Sequence, residues 1–368
     1  MKIETIRSSE EFFGLRGAWN ELLASSASNG VFLTHEWLAS WWKHLAEGRR
    51  LSILVARDNE RLTGILPLAE RQADYARMMP RTLEFLGSGV IGSDYLDAII
   101  EPGREDEVNT AFADYFHSRG LMLQLSQLRT GSCLVSSLAK SLTACGWAAS
   151  DTKLNICPYI DLQGKTWETF LSGIGPNIRK NLNRYLRLLP KNFEMRVDCA
   201  RMPKEAAAAL DIVIDLHRKR WEAAGTSEAF QTPAVNAFHH DFARLAAERG
   251  WLRILLVWLN GRPAASLYGL LYGQKFYFYQ SGFDPEFSKH SVGVAVMGLA
   301  IKTAIDEGAL EYDFLHGDEE YKFHWATATR GLGRIELYPP GAGARIYRHA
   351  IHLNRAARRV ARRVLSNA

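Results

Sequence analysis

Residues 53–66 read ILVARDNERLTGIL, and residues 254–267 read ILLVWLNGRPAASL. Set against each other at an offset of 201 positions, both give an apolar run, a turn at Asn59 or Asn260–Gly261, and a second apolar run. Extended segments closed by such a turn are the pattern of a β-hairpin. The likeness continues outward. Leu83–Leu86 and Lys275–Tyr279 each read as a further strand, followed by a glycine-bearing loop, a helical stretch and a Gly-led apolar strand. The helix is expected over roughly 104–118 in the first copy and 292–306 in the second, ahead of LMLQLSQL after Gly120 and ALEYDFL after Gly308. Two copies of a β-β-β-α-β unit predict a duplicated α/β domain.

The region between the copies has a different character. Gly175–Pro176 opens a helix expected over 177–189 and stopped by Pro190. Ile178, Leu182, Tyr185, Leu186 and Leu189 share one face of it, with Arg179, Lys180, Arg184 and Arg187 on the remaining surface. Two further helices are expected over about 204–224 and 233–248. His35 and Glu36 stand beside Trp37, Trp41 and Trp42, a spacing that reads as a core helix.

At 368 residues the chain is long enough for two domains, and its 47% hydrophobic share supplies ample core. No run of about 18 apolar residues could cross a bilayer, and no signal-peptide core follows Met1. A cytoplasmic protein is expected. Cys133, Cys145, Cys157 and Cys199 lack the spacing of a zinc or redox motif and read as free thiols. The histidines give no ligand spacing either, so no metal site is expected. The net charge of +5 is concentrated beyond Gly341, where seven arginines occur without an acidic residue. With Ile346, Ile351, Leu353, Val360, Val364 and Leu365 among them, residues 345–365 read as a basic amphipathic tail suited to an anionic membrane surface.

Helices, hairpin, strand, loop, helix and strand, in that order, resemble a GNAT (Gcn5-related N-acetyltransferase) fold. Several strings are similar to the CelD-like group of bacterial acyltransferases, relatives of the Fem-type peptidoglycan-bridge transferases. They are VFLTHEWLASWW (31–42), PNIRKNLNRYLR (176–187), LHRKRW (216–221), FYQSGFDPEFSKHSVGVAV (278–296) and EYDFLHGDEEYKFHW (311–325). The resemblance implies an α/β (α+β type) fold of two tandem GNAT-like domains, each a mixed, mostly antiparallel central sheet flanked by helices. Residues 1–150 would form the first half, 151–340 the second with the acyl-CoA site, and 341–368 the tail.

It also implies an acyltransferase that uses acetyl-CoA or a longer acyl-CoA, without a metal, by direct transfer in a ternary complex. The acceptor would be a sugar amine or hydroxyl in exopolysaccharide or cell-envelope synthesis. Tyr279 and Gln280 would line the acyl-CoA arm, and the loop Ser288, Lys289, His290, Ser291 and Gly293 would cradle the pyrophosphate at a helix N-terminus, with Ser291 as its cap. That loop departs from the GNAT pattern in carrying one glycine. Asp313 and Glu319 are the candidates for positioning or deprotonating the acceptor, and Tyr321 for protonating the thiolate. Lys322 is expected to pair with Asp313 or with an anionic ligand. Arg179, Lys180 and Arg184 are candidates for an anionic acceptor, and Asp94 and Asp97 for the cleft between the halves. Two other readings stay open: a Fem-like transferase using aminoacyl-tRNA, and a non-catalytic GNAT-like scaffold of a polysaccharide machine.

Overall fold

The structure is a computed structural model and describes residues 1–71, 81–89, 91–131, 134–224, 229–351 and 353. The first half runs β1 (Lys2–Ile6), α1 (Ser9–Gly14), α2 (Arg16–Ser25), α3 (His35–Leu45), β2 (Arg49–Leu51), β3 (Ile53–Asp58), β4 (Arg61–Leu66), β5 (Leu68–Arg71), β6 (Thr82–Phe85), β7 (Ile99–Ile100), α4 (Glu105–Arg119), β8 (Met122–Arg129) and α5 (Val135–Ala144). A long strand, β9 (Ala148–Asp161), leads to α6 (Trp167–Gly173) and α7 (Pro176–Asn192). The second half continues with β10 (Met195–Ala200), α8 (Pro203–Ala224), α9 (Pro233–Glu248), β11 (Leu252–Leu259), β12 (Arg262–Tyr272), β13 (Lys275–Phe283), α10 (Val292–Asp306), β14 (Glu311–Asp313), α11 (Glu320–Phe323) and β15 (Ala328–Tyr338).

The two hairpins carry the duplication in their irregularities as well as in their pattern. In β3–β4 the register slips between Ala56 and Arg57, so that Thr63 has no opposite partner. In β11–β12 it slips between Val257 and Trp258, leaving Ala264 in the same position. Each of these residues lies 201 positions from its counterpart. Both turns are two residues long and begin with an asparagine at positive φ, Asn59 (52°) and Asn260 (50°). Asparagine tolerates that left-handed conformation better than most residues do.

Eleven strands form one sheet in the order β10-β11-β12-β13-β14-β9-β15-β8-β6-β5-β2, and β1, β3, β4 and β7 form a second. Parallel pairing of β6 with β8 and of β13 with β14 sits at matching places in the two halves. Between β14 and β8 the halves exchange strands. β9, which ends the first half, lies antiparallel to β14 of the second. β15, which ends the second, lies antiparallel to both β9 and β8. The expected boundary at 150/151 falls inside β9, where Ser150 opposes Glu336 and Asp151 opposes Ile335.

The second-half sheet is covered on both faces, as alternation along its strands requires. Leu255, Val257 and Leu267 pack with α6, α7 and α10, whereas Ile254, Leu256 and Tyr268 pack with α8 and α9. The latter core extends into the first half. Trp37 of α3 stands edge-on to Phe238 and Phe242 of α9, with ring centroids 4.9 and 4.7 Å apart. Trp41 of the same helix is buried beside it. α8 approaches β13 so closely that a Cβ at Gly282 would lie 2.3 Å from the His217 nitrogen.

The expected helices over 204–224, 233–248 and 292–306 match α8, α9 and α10 closely. The helix expected to stop before Pro190 instead includes it and ends at Asn192. The proline sits in the last turn, where little helix remains to be disrupted, and Leu189 beside it is anchored in the core. In the tail, residues 342–351 are helical and Ile346 and Leu353 are exposed. His352 and residues 354–368 lie outside the described residues, as does Cys133. Cys145, Cys157 and Cys199 are free. Among the described residues no helix is long and apolar enough to cross a membrane, and no group of three metal-ligating side chains occurs.

Candidate active site

β13 and β14 pair only through Lys275–Tyr277 and Glu311–Asp313, and β13 then runs on alone to Phe283. At the point of separation β13 also slips against β12: Tyr268 opposes Gln280 and Gly269 opposes Phe278, so Tyr279 is the bulged residue. A bulge re-aims the side chains around it. The separated strands open a cavity of about 300 Å³, walled by Tyr279 and Gln280 of β13, Trp221 of α8, His239 of α9 and the segment from Phe314 to Lys322. Ile91 and Gly92 of the first half complete it.

His316 projects from this segment. Its Nδ1 lies 2.8 Å from Asp94 Oδ1, and its backbone N–H donates to Asp94 Oδ2 at 2.7 Å. Asp94 comes from the first half and is fully buried, whereas the His316 side chain keeps 37% of its surface exposed. The Asp94 charge, with its hydrogen bond, raises the His316 pKa above the ordinary value, and burial opposes it. With Nδ1–H donating to the carboxylate, the neutral ring carries its lone pair on Nε2. Gly92 makes room for the ring: a Cβ there would sit 3.0 Å from His316 Cε1. The Gly92 backbone N–H bonds the Tyr279 hydroxyl.

Three of the four residues expected to carry the chemistry line this cavity. Lys322 Nζ donates to the His316 carbonyl at 2.8 Å and pairs with Glu319 Oε2 at 2.9 Å, tying the loop to the start of α11. Tyr321 has its hydroxyl pKa pushed up by burial and by Glu319, so it stays a proton donor. Two buried histidines share the wall. Burial lowers His217 to about 4 and His239 to about 3, so both are neutral at pH 7.

Asp313 does not join them. It faces a separate cavity of about 70 Å³, where Tyr95 Oη donates to Oδ2 at 2.8 Å and Leu315 N–H to Oδ1 at 2.8 Å. Arg330 Nη1 lies 3.7 Å away. Burial pushes the Asp313 carboxyl up to about 6, against the pull of Arg330. The expected pairing of Lys322 with Asp313 is therefore corrected: the lysine is held by Glu319 and His316, on the cavity side. Asp97 accepts from the backbone N–H groups of Ala98, Leu134 and Val135, the last two opening α5. It is a helix cap. Burial raises its pKa to about 7 against those three donors.

Ser288, Lys289 and His290 end a 3-10 segment, Pro285–His290, immediately before α10. His290 stands edge-on against Phe193, with ring centroids 4.9 Å apart. Ser291 occupies the N-cap position, but its φ of 50° is left-handed and its side chain makes no capping bond. An extended backbone is what lets a serine reach back to the first turn, so side-chain capping by Ser291 does not occur. Gly293 faces open space, with only Phe283 Cδ1 at 3.7 Å from a Cβ placed there. Arg179 is half-buried, and Lys180 and Arg184 are exposed, on α7, which packs against α10.

The pairing of His316 with Asp94 escaped the sequence reading because 222 positions separate them. His316 lay inside the recognised polar cluster, but nothing local distinguished it from His324. His217, Trp221 and His239 read only as helix positions.

Among solved structures the whole chain is similar to the crystal structure of FemX, with a TM-score of 0.62 at 12% identity over 90% of this chain and 97% of that one. It is also similar to L-PGS from Bacillus licheniformis (TM-score 0.55, 11% identity, 93% and 95% covered). A third likeness is to the C-terminal domain of a putative lysylphosphatidylglycerol synthetase from Agrobacterium fabrum (TM-score 0.55, 9% identity, 94% and 98% covered). At these identities the likeness is one of fold. No curated protein sequence matches. Residues 176–323, the span that includes the splayed strands and the His316 loop, match the sequence model described as an acetyltransferase (GNAT) domain, and the fold is of GNAT type.

Proposed function

We propose that the protein is an acyl-CoA-dependent acyltransferase whose reaction takes place in the cavity between β13 and β14. The observation that carries this reading is the Asp94–His316 pair, set at the point where the two strands part. The acceptor's amine or hydroxyl attacks the thioester carbonyl carbon, and His316 Nε2 takes its proton. Asp94 holds the ring in the right tautomer and favours the imidazolium that forms. The C–S bond breaks, and the thiolate takes the Tyr321 proton. Lys322 fixes the loop that carries His316, and Glu319 lies at the cavity mouth. Asp313 acts as a structural carboxylate beneath the site. The acyl donor would enter along the separated strands with its pyrophosphate towards Gly293 and Lys289.

The acceptor proposed is a sugar amine or hydroxyl. Trp221, Tyr321 and Phe314 offer flat apolar surfaces to a sugar ring, and neutral His217 suits an uncharged partner. The test is release of free CoA thiol from acetyl-CoA in the presence of amino sugars and polyols. Acceptor-dependent release that His316→Gln lowers by roughly 10²–10⁴-fold supports the reading. Release independent of acceptor, or unaffected by the substitution, would overturn it.

A second reading rests on α7. Lys180, Arg184, Arg187 and Lys191 recur at helical spacing and are exposed, a surface suited to a polyanion. Aminoacyl-tRNA as donor is the corresponding proposal. The same assay run with charged tRNA, reading transfer of the amino acid, decides between the donors.

A further inference from the structure

A second cavity, of about 380 Å³, lies in the first half beside the point where the chain leaves β6 while β8 continues. Its residues play no part in the reaction proposed above. Glu84 of β6 is 3% exposed and is held from both sides: Arg49 Nε donates to Oε1 at 2.7 Å, and Arg71 donates to Oε2. Arg334 of β15 reaches the same cavity, with its Nε donating to Ser126 Oγ at 2.9 Å. A buried carboxylate persists only when paired and hydrogen-bonded, and one guanidinium would meet that need. Here three guanidinium groups surround one carboxylate. Glu84 and Gln124 share a sheet face by alternation, opposite the apolar Leu83, Phe85, Leu123 and Leu125, so the cavity is set apart from the core beneath α4.

The strand exchange assembles the site. Arg49, Arg71 and Glu84 come from the first half, Asn155 from β9, and Arg334 from β15 at the end of the second. Ile91 lines both this cavity and the one that holds His316, so a short loop separates them. Two oxygens at its wall, Ser88 Oγ and Gln127 Oε1, are shielded from solvent without a hydrogen-bond partner.

We propose that this cavity binds a small anionic ligand, a carboxylate or phosphate monoester that also carries a hydroxyl or amide N–H. The anion would bridge Arg71, Arg49 and Arg334, whose planar forks match both groups bidentately. A rotamer change of Ser88 or Gln127 would present an acceptor to the ligand's donor. The proposal stands whether or not the first cavity transfers an acyl group.

The test is calorimetric titration of the full chain at low ionic strength with inorganic phosphate, pyrophosphate and succinate. At least one is expected to bind saturably, and more weakly as salt rises. Arg71→Gln is expected to weaken that binding roughly tenfold or more. Ser88→Phe, which fills the cavity and leaves every arginine in place, is expected to abolish it and decides the matter should Arg71→Gln fail to fold. Lys289→Ala, at the start of α10, is expected to leave it unchanged. Absence of saturable binding by all three anions would overturn the proposal. So would binding that survives Arg71→Gln and Ser88→Phe and is lost in Lys289→Ala.

Discussion

His316 joins the two halves of the molecule at a single side chain. Its ring belongs to the loop after β14, and the carboxylate that orients it belongs to the first half. Because Asp94 raises the His316 pKa, the base is freed only as the pH climbs through that raised value. Acyl transfer should therefore show an acid limb above the ordinary histidine range. Asp94→Asn should lower kcat and move that limb to lower pH, and an unmoved limb would remove His316 from the role of base. The stability sign is the same. The folded state holds the proton more tightly than the unfolded chain, so the pair stabilises fully below the unfolded pKa, about 6.5. That contribution is lost as pH rises through the folded value.

At this scale the sequence was partly legible. Glu319, Tyr321 and Lys322 were found because they lie within four positions of one another. Asp313 was grouped with them for the same reason, yet its carboxylate turns to Tyr95 and Arg330 in another cavity. Asp97 was taken for a cleft residue and caps α5 instead. Replacing it with Ala should cost about 1 kcal/mol or more in denaturant unfolding, as loss of a helix cap does. No change would mean that its three backbone bonds carry no net stability.

Among the elements, the contact of α8 with β13 sets the shape of the cavity. Leu216 and His217 press onto Gly282 with no space for a Cβ, and Trp221 one turn on forms part of the wall. Gly282→Ala should destabilise the fold by roughly 1–3 kcal/mol through overpacking, read as a lowered denaturation midpoint. A variant as stable as wild type would show that α8 moves freely on the sheet. The elements themselves were readable where periodicity was strong, as α10 shows. The Tyr279 bulge was not readable, since it depends on the register of β13 against β12, which no local pattern records. The slip at Thr63 and its counterpart at Ala264 was equally hidden, although the repeat that surrounds it was plain.

On the scale of the whole molecule, the exchanged strands decide how the halves relate. β9 and β15 pair along their length and bind each half to the other's sheet. A division at 150/151 looks reasonable from the duplicated pattern, because a strand reads the same whichever sheet receives it. In the folded chain it would cut β9. The core reinforces this, since Trp37 of the first half packs on Phe238 and Phe242 of the second. Thermal unfolding should accordingly be one cooperative transition, and residues 162–368 expressed alone should fail to fold, lacking β9. Two separable transitions, or a folded 162–368 fragment, would contradict the shared architecture.

The central claim, that the parted strands of the second half receive an acyl-CoA, is tested most directly by calorimetric titration of acetyl-CoA into wild type and Gly293→Trp. Gly293 faces open space at the start of α10, so tryptophan there blocks the donor's path without disturbing the core. Saturable binding by wild type that the variant loses is the expected result. No binding of acetyl-CoA or longer acyl-CoAs by wild type, or binding that Gly293→Trp leaves intact, would contradict it.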